Sequence, residues 1–183
     1  MSHHPIEDLG FLSDCHTAAL VNRDGTVEWW CLPRFDGDSV FARLLDADAG
    51  HLALTPDGVE SVERRYEDQS LVLTTTFTTS TGVVEVTDAL AMGEGARHHD
   101  LGLGSPHVLL RGVRCTSGHV DLDLEFAPRH EYGLTFPIVE SIDGGVYARG
   151  GATALRLSAP FDLAIEDRTA SGRLRLEAGE RAG

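Results

Sequence analysis

The sequence contains no lysine. All 15 of its cations are arginine, set against 29 acidic residues, for a net charge of −14. No basic run offsets that excess, so nucleic acid and anionic membrane are poor partners for this surface. The arginines are scattered. Codon usage in a GC-rich genome accounts for them more simply than selection for bidentate anion contacts, which requires clustering. Cysteine is scarce too: Cys15, Cys31 and Cys115 lie far apart, with no Cys-x-x-Cys. An odd count at such spacings argues against a disulfide framework or a structural metal, and each lies in or beside an apolar segment. Buried free thiols in a reducing compartment are expected. No apolar run approaches the ~18 residues of a membrane span, and the N-terminus lacks the basic and apolar regions of a signal peptide. A cytoplasmic location is expected.

Helix signal is also thin. One candidate runs from Ser39 to Leu45, where Val40–Leu44 and Phe41–Leu45 form apolar i, i+4 pairs. Turn signals, in contrast, are dense: Asp24-Gly25, Asp36-Gly37, Asp57-Gly58, Thr81-Gly82, Ser117-Gly118, Gly144-Gly145, Gly150-Gly151 and Ser171-Gly172. Between them lie short segments rich in Val, Leu, Thr and Phe, among them Thr17–Val21, Val27–Leu32, His51–Thr55, Leu71–Thr78, Val83–Thr87, His107–Cys115, Val120–Phe126, Gly145–Arg149, Thr153–Ser158 and Arg173–Glu177. Val120–Phe126 and Arg173–Glu177 alternate apolar and polar residues strictly, the mark of strands with one wet face. Strands at this spacing predict an all-β fold, a large antiparallel β-sandwich with at most one or two short helices. The chain is long enough for one sizeable core, and a single domain over 1–183 is expected. Gly93–Pro106 reads as a surface loop. The last residues, from Leu174 on, read as a strand and a turn that should feed another strand, so a longer protein is expected.

Little of the chemistry-bearing sequence points to catalysis. There is no Gly-x-Ser-x-Gly elbow, and in a strand the adjacent Cys15 and His16 would face opposite sides. His98-His99-Asp100 in a glycine-rich loop reads as solvated side chains, and no metal or cofactor is expected. Asp121 and Asp123 share one strand face and point the same way, whereas glycosidase chemistry needs two carboxyls facing each other across a bond. The segment Asp24–Gly37 stands apart. It holds both tryptophans and ends in Pro33-Arg34-Phe35-Asp36. Aromatic rings stack on sugar faces, and Arg and Asp grip hydroxyls. The same residues also suit a core strand capped by an Arg34–Asp36 ion pair. In either case Trp29 and Trp30 face opposite sides.

Ile6–Val21, Asp24–Trp29 and Cys31–Asp36 together resemble the N-terminal domain of bacterial trehalases and glucoamylase-like enzymes of glycoside hydrolase family 15. Arg64-Arg65-Tyr66, Leu73–Phe77, Val86-Thr87-Asp88, Pro128–Gly133 and Ala178–Ala182 resemble later blocks of that domain in order, so the likeness covers essentially the whole chain. The resemblance implies a β-sandwich followed, in the parent enzyme, by an α/α barrel that carries two catalytic glutamates and inverts. The substrate would be an α-glucoside, trehalose or a glucan end. This chain would hold no catalytic residue and would pack on that downstream domain. Asp14, His16, Trp29, Trp30, Arg34, Phe35 and Asp36 become candidates for the pocket rim or the domain junction, and a dimer through the exposed junction face is an alternative. A free-standing carbohydrate-binding module and a structural or oligomerising sandwich are the other readings. The sequence departs from the family pattern at Ser13 (usually Gly), His16 (usually Arg), Trp30 (usually Leu) and His130-Glu131 (usually Phe-Asp). An arginine acting at the junction would make its replacement by His16 pH-dependent.

Overall fold

The structure, a computed structural model, describes residues 5–183. Its strands are β1 (Gly10–Ser13), β2 (Ala18–Val21), β3 (Val27–Cys31), β4 (Ser39–Phe41) and β5 (His51–Pro56). They continue as β6 (Val59–Tyr66), β7 (Leu73–Thr79), β8 (Gly82–Leu90), β9 (Leu109–Ala127) and β10 (Ile138–Ile142). The last are β11 (Gly145–Gly150), β12 (Thr153–Ser158), β13 (Ala164–Glu166), β14 (Thr169–Glu177) and β15 (Arg181–Ala182). The described residues form no α-helix, only two 3-10 turns at Ile6–Asp8 and His98–Asp100. The expected all-β, antiparallel architecture is what the chain adopts.

The expected helix at Ser39–Leu45 does not form. Ser39, Val40 and Phe41 are all buried and pair with β3, Phe41 opposite Trp30 and Ser39 opposite Cys31. A seven-residue helix is too short to hold itself without packing, while a partner strand satisfies the same backbone groups. Leu44 and Leu45 lie in the turn that follows, where the Leu45 amide donates to Ala42 at 2.8 Å.

Two antiparallel sheets face each other. One carries β1-β2-β3-β5-β9-β14-β13, with β4 on β3; the other carries β6-β7-β8-β9-β15. They share β9. Its first part, up to Gly118, pairs with β8, and Val120–Ala127 lies between β5 and β14. A smaller sheet, β10-β11-β12, adds three strands. The Ser117-Gly118 pair, read as a turn between two strands, is a kink inside one. Gly118 has φ +64°, and a Cβ there would collide with the Thr81 carbonyl. This is a position only glycine fills without strain.

Apolar side chains from both sheets meet in one core that includes Leu12, Val27, Leu54, Phe77, Val86 and Leu122. At 25 cal/mol per Å², or roughly 1.5–3 kcal/mol for each such side chain, this burial is the main term holding the sheets together. Close backbone approaches fix their spacing: a Cβ on Gly25 would lie 3.3 Å from the Phe77 ring. The edge of β1 is closed by side chains of β6. The Tyr66 hydroxyl accepts from the Phe11 amide at 2.7 Å and donates to the Phe11 carbonyl at 3.1 Å, while Arg64 donates to the carbonyls of Asp8 (2.7 Å) and Val21 (3.2 Å). A paired edge of this kind offers nothing to a foreign strand.

Candidate functional site

The loop after β1 is organised by Asp14. Its Oδ1 accepts from the amides of His16 (2.9 Å) and Thr17 (2.6 Å), and its Oδ2 accepts from the Ser105 hydroxyl. The side chain is fully buried. Burial pushes its pKa up, but the Ser105, Thr17 and His16 donors outweigh that and hold it below the ordinary value of 3.8. Asp14 thus ties the β1–β2 turn to the far end of the loop Gly93–Pro106. The Ser13 hydroxyl donates to the Thr17 carbonyl at 2.9 Å and accepts from the Cys15 amide at 3.1 Å. Residues 15 and 16 therefore sit in a bend rather than a strand, and Cys15 has φ +65°. In that bend the Cys15 thiol is exposed, contrary to the expected burial; Cys31 and Cys115 are buried as expected.

His16 joins this turn to the Pro33–Gly37 loop. Its carbonyl accepts from the Phe35 amide at 3.1 Å, and its ring stacks on His107, centroids 5.2 Å apart. The loop itself is a tight turn closed by the Gly37 amide on the Arg34 carbonyl, 3.0 Å. Across it Arg34 Nε donates to Asp36 Oδ1 at 2.9 Å. Their hydrogen bond and mutual charge hold Arg34 above, and Asp36 below, their ordinary values. Phe35 is 65% exposed at the tip. The ion pair expected at the strand end is therefore present, and it presents an aromatic ring to solvent.

The two tryptophans diverge as alternation requires. Trp30 is buried beside Phe41, with its indole Nε1 unpartnered. Trp29 is half-buried on the other face, its ring 5.9 Å from that of Tyr132. Tyr132 also donates its hydroxyl to the Gly37 carbonyl at 3.1 Å. His16, Arg34, Phe35, Asp36 and Trp29 thus belong to one connected surface region, anchored from within by the buried Asp14, and Trp30 is buried. Ser105, His107 and Tyr132 complete the region and were not anticipated. Ser105 and His107 sit 91 residues from the turn that they hold, a separation that no local pattern signals.

Among the described residues no group of three or more His, Cys, Asp or Glu is placed to hold a metal ion. Asp121 and Asp123 serve as strand-face ion-pair partners for Arg175 (3.4 Å) and Arg173 (3.1 Å). The buried pairs are structural as well. Glu28 grips Arg43 through two bonds of 2.8 and 2.6 Å, and Asp88 grips Arg111 through bonds of 2.6 and 3.1 Å. The arrangement can present an aromatic, a cation and an anion to a neighbour.

The described residues thus form a curled antiparallel β-sandwich with one side-chain-rich loop edge. The model of the trehalase-like N-terminal domain matches residues 1–170, and the chain belongs to that family. It is 40% identical over 195 residues to a trehalase of Mycolicibacterium smegmatis, covering 96% of this chain and 29% of that protein. The likeness to a trehalase of Mycobacterium tuberculosis is 38%, covering 96% and 28%. For trehalase 1 of Sulfolobus acidocaldarius it is 34%, covering 77% and 22%. The chain thus spans less than a third of the length of these relatives, and matches an N-terminal domain of a larger protein. No solved structure gives a significant match.

Proposed function

We propose that this chain is the non-catalytic N-terminal domain of a bacterial, cytoplasmic α-glucoside hydrolase of the glycoside hydrolase family 15 type, with trehalose as substrate. It packs on a downstream catalytic domain and lends the Arg34–Phe35–Asp36 turn to the rim of that domain's pocket. The observation that carries the reading is the coverage: nearly all of this chain aligns with under a third of proteins named trehalase. The rim assignment is supported by the turn itself. Its ion pair and the Phe35–His16 bond stiffen a loop whose aromatic tip is exposed, so little entropy is lost when the tip meets a sugar or a neighbouring domain. No helix among the described residues is long and apolar enough to cross a membrane.

The test uses the full-length enzyme. Phe35→Ala and Arg34→Ala are expected to raise KM for trehalose roughly tenfold, about 1.4 kcal/mol of binding, with a smaller change in kcat. Unchanged kinetics in both variants would remove the loop from the rim. The chain 1–183 alone should fold without turning over trehalose, and clear turnover would overturn the non-catalytic assignment. Saturable trehalose binding by that isolated chain, lost in Trp29→Ala, would favour a carbohydrate-binding module instead.

A further inference from the structure

We infer that the sandwich takes one more strand from the longer protein. The segment immediately after Gly183 continues β15 along the outer edge of β9 at Leu109–Gly112 and places its alternate side chains, at positions 184 and 186, in the cavity beneath.

Register carries this. Arg181 lies opposite Arg114 and Ala182 opposite Val113, so one further step on each strand sets 183, 184, 185 and 186 against Gly112, Arg111, Leu110 and Leu109. Gly183 already keeps to that path: a Cβ on it would lie 3.2 Å from the Arg111 carbonyl oxygen and the Gly112 Cα. The Cys115 amide donates to the Glu180 carbonyl at 3.1 Å. Backbone direction alternates along a strand, so the amides of Val113, Arg111 and Leu109 point to that same side. The side of β9 away from them is occupied by β8. Among the described residues no strand pairs with the near side at Arg111 or Leu109.

Beneath this edge lies a cavity of about 700 Å³, lined by Trp30, Phe41, Phe126, Leu109, Arg111 and Ala182 among others. The cavity opens to solvent, and an apolar groove of this size is a surface that a further segment can cover. Leu110 and Val108 beside it are 53% and 42% exposed. Ala182 packs against the core, so period two sends 184 and 186 inward with it. The guanidinium of Arg111 supplies a second sign. Its side chain is 9% exposed, it lines the cavity, and its Nη1 is buried with no partner. An acceptor brought by the incoming segment matches that donor.

The occupant is the protein's own chain. The relatives extend far beyond the aligned part, since this chain covers 29% of the M. smegmatis trehalase. A second copy would have to bring a net charge of −14 against another of −14. This inference rests on family membership and on register, and not on the substrate or the rim assignment.

The test compares 1–183 with a chain extended by about ten residues of its own gene, a typical strand with its turn. Amide hydrogen exchange is read at Arg111 and Leu109 by NMR. Extension should slow both at least about tenfold and raise the thermal midpoint by about 5 °C or more. A proline placed at position 184 of the extended chain has no N–H to give the ladder and should reverse both effects. Equal exchange and equal midpoints in the two chains would overturn the inference. So would protection of this edge in 1–183 that rises with concentration alongside a dimeric mass, which would assign the edge to a second copy.

Discussion

Asp14 accepts three hydrogen bonds inside the protein: two from adjacent amides of its own turn, His16 and Thr17, and one from the Ser105 hydroxyl of the distant loop. Removing an acceptor that serves buried donors costs more than the bonds themselves, because the donors remain desolvated. Asp14→Ala should lower stability by about 2 kcal/mol near neutral pH, measured by urea unfolding. The sign with pH follows from the lowered folded pKa. The contribution is complete above the unfolded value of 3.8 and is lost as pH falls through the lower folded value, so Asp14→Ala should flatten the acid limb between those two values. Ser105→Ala removes one donor only and should cost less. At the same scale, the fate of Trp29 and Trp30 was legible because alternation alone separates them. The partners of Asp14 were not, because Ser105 reaches it across 91 residues.

Among the elements, β9 decides the architecture, and it is the one that the local pattern divides in two. Ser117-Gly118 carries a turn signal, and the chain does use Gly118 at positive φ, but between strand halves that continue in one direction. Gly118→Ala should therefore destabilise by about 2–3 kcal/mol, the cost of a left-handed alanine plus its collision with the Thr81 carbonyl, read from chemical denaturation. Strands with strict alternation, such as the Arg173–Glu177 part of β14, were legible because each has one wet face. Those that escaped, including β6, β10 and β13, lie in exposed stretches where neither face imposes a pattern. The segment Ser39–Leu45 misled for a related reason: its apolar spacing fits a helix, but neighbouring strands offered its backbone better partners.

For the molecule as a whole, the buried His130 and the partly buried His51 contribute a response to mild acid. Burial lowers the pKa of His130. Burial and then the Arg43 charge lower that of His51, with Glu125 at 3.3 Å opposing them. Their folded values lie below the unfolded 6.5, so the unfolded chain takes up protons first as pH falls. Stability is greatest above 6.5 and declines below it. The thermal midpoint of 1–183 should therefore fall between about pH 7.5 and about pH 5.5, and His130→Phe should make that fall shallower.

The shared strand has one further consequence. Since β9 belongs to both facing sheets, neither can come apart while the other keeps its full hydrogen-bond ladder. Loss of the β9–β5 seam strips the β8 side of its anchor, and the reverse holds equally. The two sheets should melt as one cooperative unit, with equal calorimetric and van't Hoff enthalpies, and β9 amides should exchange only through the global event.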